Sequence, residues 1–233
     1  MSMYKITLLF LFTLKGYYSQ IPIQNLEAYW PFHGNAQDSS GNNNHGIVVN
    51  AQLTNDRFGN CNEAYKFNGM NSRIVIPNST SIDMNNSTDF SVSLWLKVHV
   101  NNPSGIPLCK NNYGSWSGYV IFANTTNMGY CNSPGHVSFY SASGFAQDAC
   151  SNNILDSNWH YITGVYKHFS NQSFLYVDGV LQSDIGQSSG GLSTVSDLIF
   201  GDNTLFNEPF MGSLDAIRIY RKALNSSEVL QLY

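Results

Sequence analysis

Short runs in which every second residue is apolar recur from Leu26 to Tyr220, separated by clusters of Gly, Asn, Ser and Pro. A period of two sends neighbouring side chains to opposite faces of a strand, so each run can hide its apolar face only against a second sheet. No 3.6-residue periodicity of useful length occurs before the C-terminal end, which points to a two-sheet sandwich rather than to strand–helix–strand units. Strands are expected at Ile74–Ile76, Phe90–Leu96, Tyr119–Phe122, His136–Tyr140, Trp159–Tyr166, Leu198–Gly201 and Ser213–Tyr220. In the second of these, Phe90, Val92, Leu94 and Leu96 share one face, while Ser91, Ser93, Trp95 and Lys97 share the other. The composition agrees: only 11% of residues are charged and 14% are aromatic, a mixture that favours strands and polar turns over helices.

Two local signals are sharper. Asp178-Gly179 stands between Phe174–Val177 and Val180–Gln182. An Asp-Gly pair between apolar runs favours the type I′ turn of a tight hairpin, because both central residues must take positive φ. Near the end, Leu224 is followed by Asn225-Ser-Ser-Glu228, a sequence suited to a capped helix start, so a short helix over 226–232 is expected.

Residues 1–19 have the make-up of a signal peptide, with Lys5 ahead of the apolar run Ile6–Leu14. That run is too short to span a bilayer, which takes about 20 apolar residues, and no later stretch approaches this length. The expectation is a secreted, extracellular or cell-surface protein without a transmembrane segment, with residues 20–233 as one domain. A formal net charge of −4, more negative once Lys5 and Lys15 are removed, argues against nucleic acid as a partner. Cys61, Cys109, Cys131 and Cys150 allow three pairings in an oxidising compartment. Cys131–Cys150, clipping the segment that carries the His136–Tyr140 strand, is the bridge expected, with buried free thiols as the alternative.

Several separated stretches then resemble one family in order along the chain. Leu26–Asn35, Asp38–Gly46, Asp56–Asn60, Ala64–Gly69 and Ile74–Pro77 resemble the first half of the laminin-G-like jelly rolls of the concanavalin A-like lectin/glucanase superfamily. Phe90–Trp95, Trp159–Ile162, Leu175–Gly179 and Gly212–Tyr220 with Ala223-Leu224 resemble the second half. The resemblance implies an all-β fold of two stacked antiparallel sheets, one convex and one concave, closed by a short C-terminal helix. Members of this superfamily include lectins, pentraxins, adhesion modules and glycan-cleaving enzymes, so fold alone does not assign function.

An enzyme of the glucanase type needs carboxylates alternating on one strand, about 5–5.5 Å apart across the scissile bond. No two of the fifteen acids are closer in sequence than Asp197 and Asp202, so no strand presents such an array. No Gly-x-Ser-x-Gly elbow occurs either, and a non-enzymatic chain is expected. Acids on different strands could still converge.

Asp38–Gly46 is rich in Asx residues and punctuated by Gly, which can aim several oxygens at a hard cation. The resemblance implies that this loop meets the acid of Gly212-Ser-Leu-Asp215, making Asp38, Asn43 and Asp215 the expected ligands of a structural calcium ion. The alternative is that Asp38, Ser39 and Asn42 form turns with their own backbone. For a glycan or glycoprotein surface, the flat aromatics of the Gly-rich stretch Tyr113, Trp116 and Tyr119 would supply stacking faces, and Asn111 and Asn124 would supply amides; Trp30, Trp95 and Trp159 read as core. A secreted, calcium-stabilised, carbohydrate-binding module is thus expected, with a protein–protein adhesion module of the same fold as the alternative.

Overall fold

The computed structural model describes residues 21–85, 87–99, 105–112, 117–123, 131, 135–142, 147–154, 156–188, 192–202 and 208–233. The segment expected to be a signal peptide lies outside these residues. In chain order the strands are β1 (Leu26–Trp30), β2 (Ile47–Val49), β3 (Gln52–Thr54), β4 (Ala64–Asn68), β5 (Arg73–Ile76), β6 (Phe90–Val98), β7 (Gly105–Asn112) and β8 (Ser117–Ala123). There follow β9 (Val137–Ala142), β10 (Ala149–Cys150), β11 (Trp159–Lys167), β12 (Gln172–Val177), β13 (Val180–Leu181), β14 (Gly186–Gln187), β15 (Leu198–Phe200), β16 (Met211–Tyr220) and helix α1 (Ser226–Leu232).

They form two antiparallel sheets. A nine-stranded sheet has the order β13-β12-β11-β6-β16-β4-β3, with β1 beside β16 and β14 beside β12. A seven-stranded sheet runs β10-β9-β8-β7-β15-β5-β2. The long strand β16 serves two partners along one edge, pairing with β4 through Met211–Leu214 and with β1 through Ile217–Tyr220. A bulge between Asp215 and Arg218, with Ala216 at φ 47°, turns both Asp215 and Ala216 away from the inter-sheet core and makes this division feasible.

The main core fills the space between the sheets. β6 contributes Phe90, Val92, Leu94, Leu96 and Val98, the face its alternation predicts. Phe90 meets Tyr119, Phe139 and Tyr166, and Trp30 packs edge-on against Phe200 at 5.0 Å while its indole N–H donates to the Asn44 carbonyl at 2.7 Å. Gly164 leaves room for the Phe139 ring of the facing sheet, since a Cβ there would overlap it. A second cluster lies on the outer face of the nine-stranded sheet, where α1 lays Val229 and Leu232 over Trp95, Tyr161, Val165, Tyr176 and Tyr220. Asn225 caps that helix, its side chain accepting from the Glu228 N–H while the Glu228 carboxylate accepts from the Asn225 N–H.

Most expected strands lie within a residue or two of their observed bounds. The Asp178-Gly179 turn has both φ angles positive, at 49° and 78°, as type I′ requires. β7 was not among the expected strands. It holds Pro107 and Lys110 and is buried along almost its whole length, so it carries no alternation to read. Cys131 and Cys150 are bridged with Cα atoms 5.9 Å apart; Cys61 is an exposed thiol and Cys109 a buried one. Among the described residues no helix is long and apolar enough to cross a membrane.

Candidate functional site

Sheet register arranges the outer face of the nine-stranded sheet in rows. Gln52 faces Lys66, Lys66 faces Ser213, Ser213 faces Lys97 and Lys97 faces Trp159, so one row crosses β3, β4, β16, β6 and β11. The next outward row holds Asp215, Trp95 and Tyr161, and the one beyond it Arg218, Ser93, Thr163 and Tyr176. Trp95, Tyr161 and Tyr176 belong to the cluster that α1 covers. The row of Lys66 and Lys97 instead forms the floor of a cleft of about 440 Å³. Trp159 is half-buried, packing against the outer cluster, and also lines this cleft, beside Asn55, Asp56 and His99.

The β3–β4 loop walls the cleft. Asp56 shapes that loop by accepting from the Phe58 and Asn60 N–H groups, each at 2.8 Å, and from the Asn60 amide at 3.0 Å; these bonds hold its carboxyl below the ordinary range against the opposing effect of burial. The next residue, Arg57, reaches down onto the sheet, where its guanidinium lies 4.7 Å from the Trp95 ring centre and 4.4 Å from that of Phe58. It donates to Asp215 at 2.5 Å. Burial pushes the Asp215 carboxyl up to about 6, with Arg57 opposing. Beyond Arg57 a smaller cleft of about 250 Å³ contains Tyr29, His33, Asp56, Glu63, Asp215 and Arg218.

This smaller cleft does gather three acids, Asp56 and Glu63 from the β3–β4 loop and Asp215 from β16, a convergence that sequence left open. Each has a fixed employment: Asp56 in its turn, Glu63 with His33, and Asp215 with Arg57 at a side-chain exposure of 4%. An acid so enclosed cannot reach a glycosidic oxygen while Arg57 covers it. The histidines with described partners are likewise structural: His160 bridges Asp178 and Asp156, His168 meets Asp89, and His45 accepts from the Asp38 N–H.

The residues expected for calcium do not fit an ion as placed. Both Asp38 oxygens already accept, from the N–H groups of Tyr29, Ser40 and Asn44 and from the Ser40 hydroxyl. Asn43 is an exposed turn residue at φ 60°, and its neighbour Asn44 is the buried one, donating to the Glu27 carbonyl and accepting from Ser79 and Ser81. Asp215 faces a guanidinium, which stands where a cation would bind. Among the described residues no group of three or more His, Cys, Asp or Glu is placed to hold a metal.

Of the residues expected to contact a glycan, Tyr113, Trp116 and Asn124 lie outside the described residues. Tyr119 is a core residue instead: it is fully buried, its ring lies 5.2 Å from that of Phe90 at a tilt of 48°, and its hydroxyl donates to the Ile82 carbonyl at 2.9 Å. Asn111 is also buried, with neither amide atom hydrogen-bonded. Both corrections have the same kind of cause: β8, which carries Tyr119, and β7, which carries Asn111, are buried along almost their whole length, so neither strand shows an alternation from which the inward residues could be read. Trp30 is core as expected and Trp95 belongs to the outer cluster, but Trp159 borders the open cleft. Gln52, Lys66 and Ser213 were not singled out by sequence; for Lys97 only its place on the face opposite Phe90 was legible.

Two antiparallel sheets packed face to face, with a short capping helix, define a jelly roll of the lectin-like type. Residues 68–230 match a laminin G-like family model, and the chain belongs to that family, within the concanavalin A-like lectin/glucanases superfamily. It is 27% identical over 214 residues to the botulinum-like toxin eBoNT/J of Enterococcus sp. (strain 3G1_DIV0629), covering 86% of this chain but 16% of that toxin. Among solved structures, the binding domain of Paraclostridial Mosquitocidal Protein 1 superposes with a TM-score of 0.72 at 21% identity, over 90% of this chain and 52% of that one. Domain 4 of AbnA, an extracellular arabinanase from Geobacillus stearothermophilus in complex with arabinotriose, gives 0.63 at 20% identity, over 89% of this chain and 98% of that one. The binding domain of botulinum neurotoxin DC, in complex with rat synaptotagmin II, gives 0.65 at 19% identity, over 91% and 52%. The chain thus spans about half of the toxin binding domains and a small part of the whole toxin, and at these identities the structural likeness is one of fold.

Proposed function

We propose that this chain is an exported, non-enzymatic binding module that recognises a glycan or glycoconjugate in the cleft over Lys66, Ser213 and Lys97. The observation that carries the reading is the five-strand row ending on Trp159. Over the cleft it offers the Trp159 ring at one end and a hydroxyl and two ammonium groups along a rigid floor, with the Asn55 amide in the wall, the combination by which small-molecule clefts fix orientation. The likeness to an arabinanase domain that holds arabinotriose supports a saccharide, and the Cys131–Cys150 bridge supports an oxidising compartment. Calcium has no part in this reading, because neither Asp38 nor Asp215 has a carboxylate free for it.

A glycan array probed with the protein and with Ser213→Tyr tests it. Ser213 is only partly buried at the centre of the row, so a tyrosine there fills the cleft without entering the core. Glycan binding by the protein that the variant loses, at unchanged melting temperature, is the expected result. Binding that survives the filled cleft would place the site elsewhere, and capture of a protein receptor with no glycan bound would favour the adhesion-module reading.

A further inference from the structure

Lys66 and Lys97 are exposed, and neither is matched by a carboxylate among the described residues. They flank Ser213 from the two strands beside it, which puts their Cα atoms on the order of 10 Å apart. Their flexible stems let both ammonium groups converge on one group above the Ser213 hydroxyl. Asp56, the acid in the cleft wall, directs its oxygens into its own turn. The cleft floor is therefore cationic, on a chain whose formal net charge is −4. Two free ammonium groups beside a hydroxyl form a recognition site for a carboxylate or sulfate, since charge-assisted bonds to such oxygens are stronger than neutral ones.

We infer that the cleft selects an acidic saccharide, with a carboxylate- or sulfate-bearing sugar seated between Lys66 and Lys97 over Ser213 and its neighbouring ring laid against Trp159. This rests on the reading of the cleft as a glycan site and adds the class of sugar. An aromatic wall at the end of the lysine row favours a saccharide over an isolated phosphate or a lipid headgroup, because a sugar ring has an apolar face to stack while a phosphate has none. The cations also have a kinetic role. A positive cleft on a negative surface draws acidic ligands to that one place and repels them elsewhere.

Calorimetric titration of the chain with a heparin-derived hexasaccharide, an oligogalacturonate and a neutral arabino-oligosaccharide tests the inference, together with Lys66→Gln and Lys97→Gln. Acidic probes should bind at least tenfold more tightly than the neutral one. Each substitution should weaken acidic binding about tenfold, and the neutral probe by clearly less, while leaving the melting temperature unchanged. Raising salt from about 0.1 to 1 M, which shortens the Debye length from about 10 to 3 Å, should weaken the acidic probes alone. Equal affinity for neutral and acidic sugars, or acidic binding indifferent to both lysines, would overturn the inference while leaving a glycan site in place. Binding to no sugar, with lysine-dependent binding to phosphatidylserine vesicles, would overturn the glycan reading too and assign the lysines to a lipid headgroup.

Discussion

Asp148 offers the cleanest test of the electrostatics of this fold. It lies just before the short edge strand β10 and is 1% exposed, with one carboxylate oxygen accepting from the Ser138 hydroxyl at 2.7 Å and the other buried without a partner. Burial pushes its carboxyl from 3.8 up to about 6, and the Ser138 hydrogen bond offsets only part of this. An acid whose folded value is raised binds its proton more tightly in the native state. Stability should therefore fall as pH rises through the window from 3.8 to about 6, with the full cost present above it. That displacement corresponds to about 3 kcal/mol. Asp148→Asn removes the charge and keeps an oxygen to accept from Ser138; the amide nitrogen replaces an oxygen that was itself unbonded. The variant should be more stable than the parent by about 3 kcal/mol near pH 7.5, a rise in Tm of roughly 6–12 °C for a domain of this size, and the two should converge below about pH 4. Urea melts followed by tryptophan fluorescence across this range give the difference curve, from which the other carboxylates cancel. A difference independent of pH, or a variant less stable at neutral pH, would refute the argument that Asp148 is ionised at a cost.

Asp38→Ala should destabilise by about 3 kcal/mol, because the buried Asn44 N–H and the Tyr29 N–H lose their acceptor. Melting curves should show the same loss in calcium and in chelator, whereas a loss confined to the calcium sample would restore the ion to this loop. Reduction of Cys131–Cys150, at a sequence separation of 19, should lower stability by roughly 3 kcal/mol, read as a drop in Tm on adding dithiothreitol. Asn225→Ala removes the side-chain acceptor of the Glu228 N–H and should cost about 1 kcal/mol. Because Tyr233, just beyond α1, stacks on Trp95 at 5.6 Å, that loosening should appear as a change in tryptophan emission before global unfolding.

Wherever structure follows from the residues of one segment, the sequence was sufficient. Alternation in β6 separated Phe90, Val92, Leu94 and Leu96 from Trp95 and Lys97, since the two-residue period is a property of the strand itself, but only the packing showed that the first set faces the inter-sheet core and that Trp95, read as core, belongs to the outer cluster. Asp178-Gly179 specified its turn through the φ angles it tolerates, and Asn225 with Glu228 specified a helix start through bonds that span three residues. Tertiary structure decided everything that depends on which strand lies beside which. Tyr119 could be placed only once both faces of β8 proved to be covered. Asp38 looked like a cation ligand until loop closure directed the Tyr29 and Asn44 N–H groups onto its oxygens, and Asp215 until Arg57, distant in sequence, folded over it. The row from Gln52 to Trp159 is the extreme case. It joins five strands through pairings that are mostly remote in sequence, and no local pattern encodes it, because register between distant strands is fixed by the burial of the whole sheet rather than by any one of them.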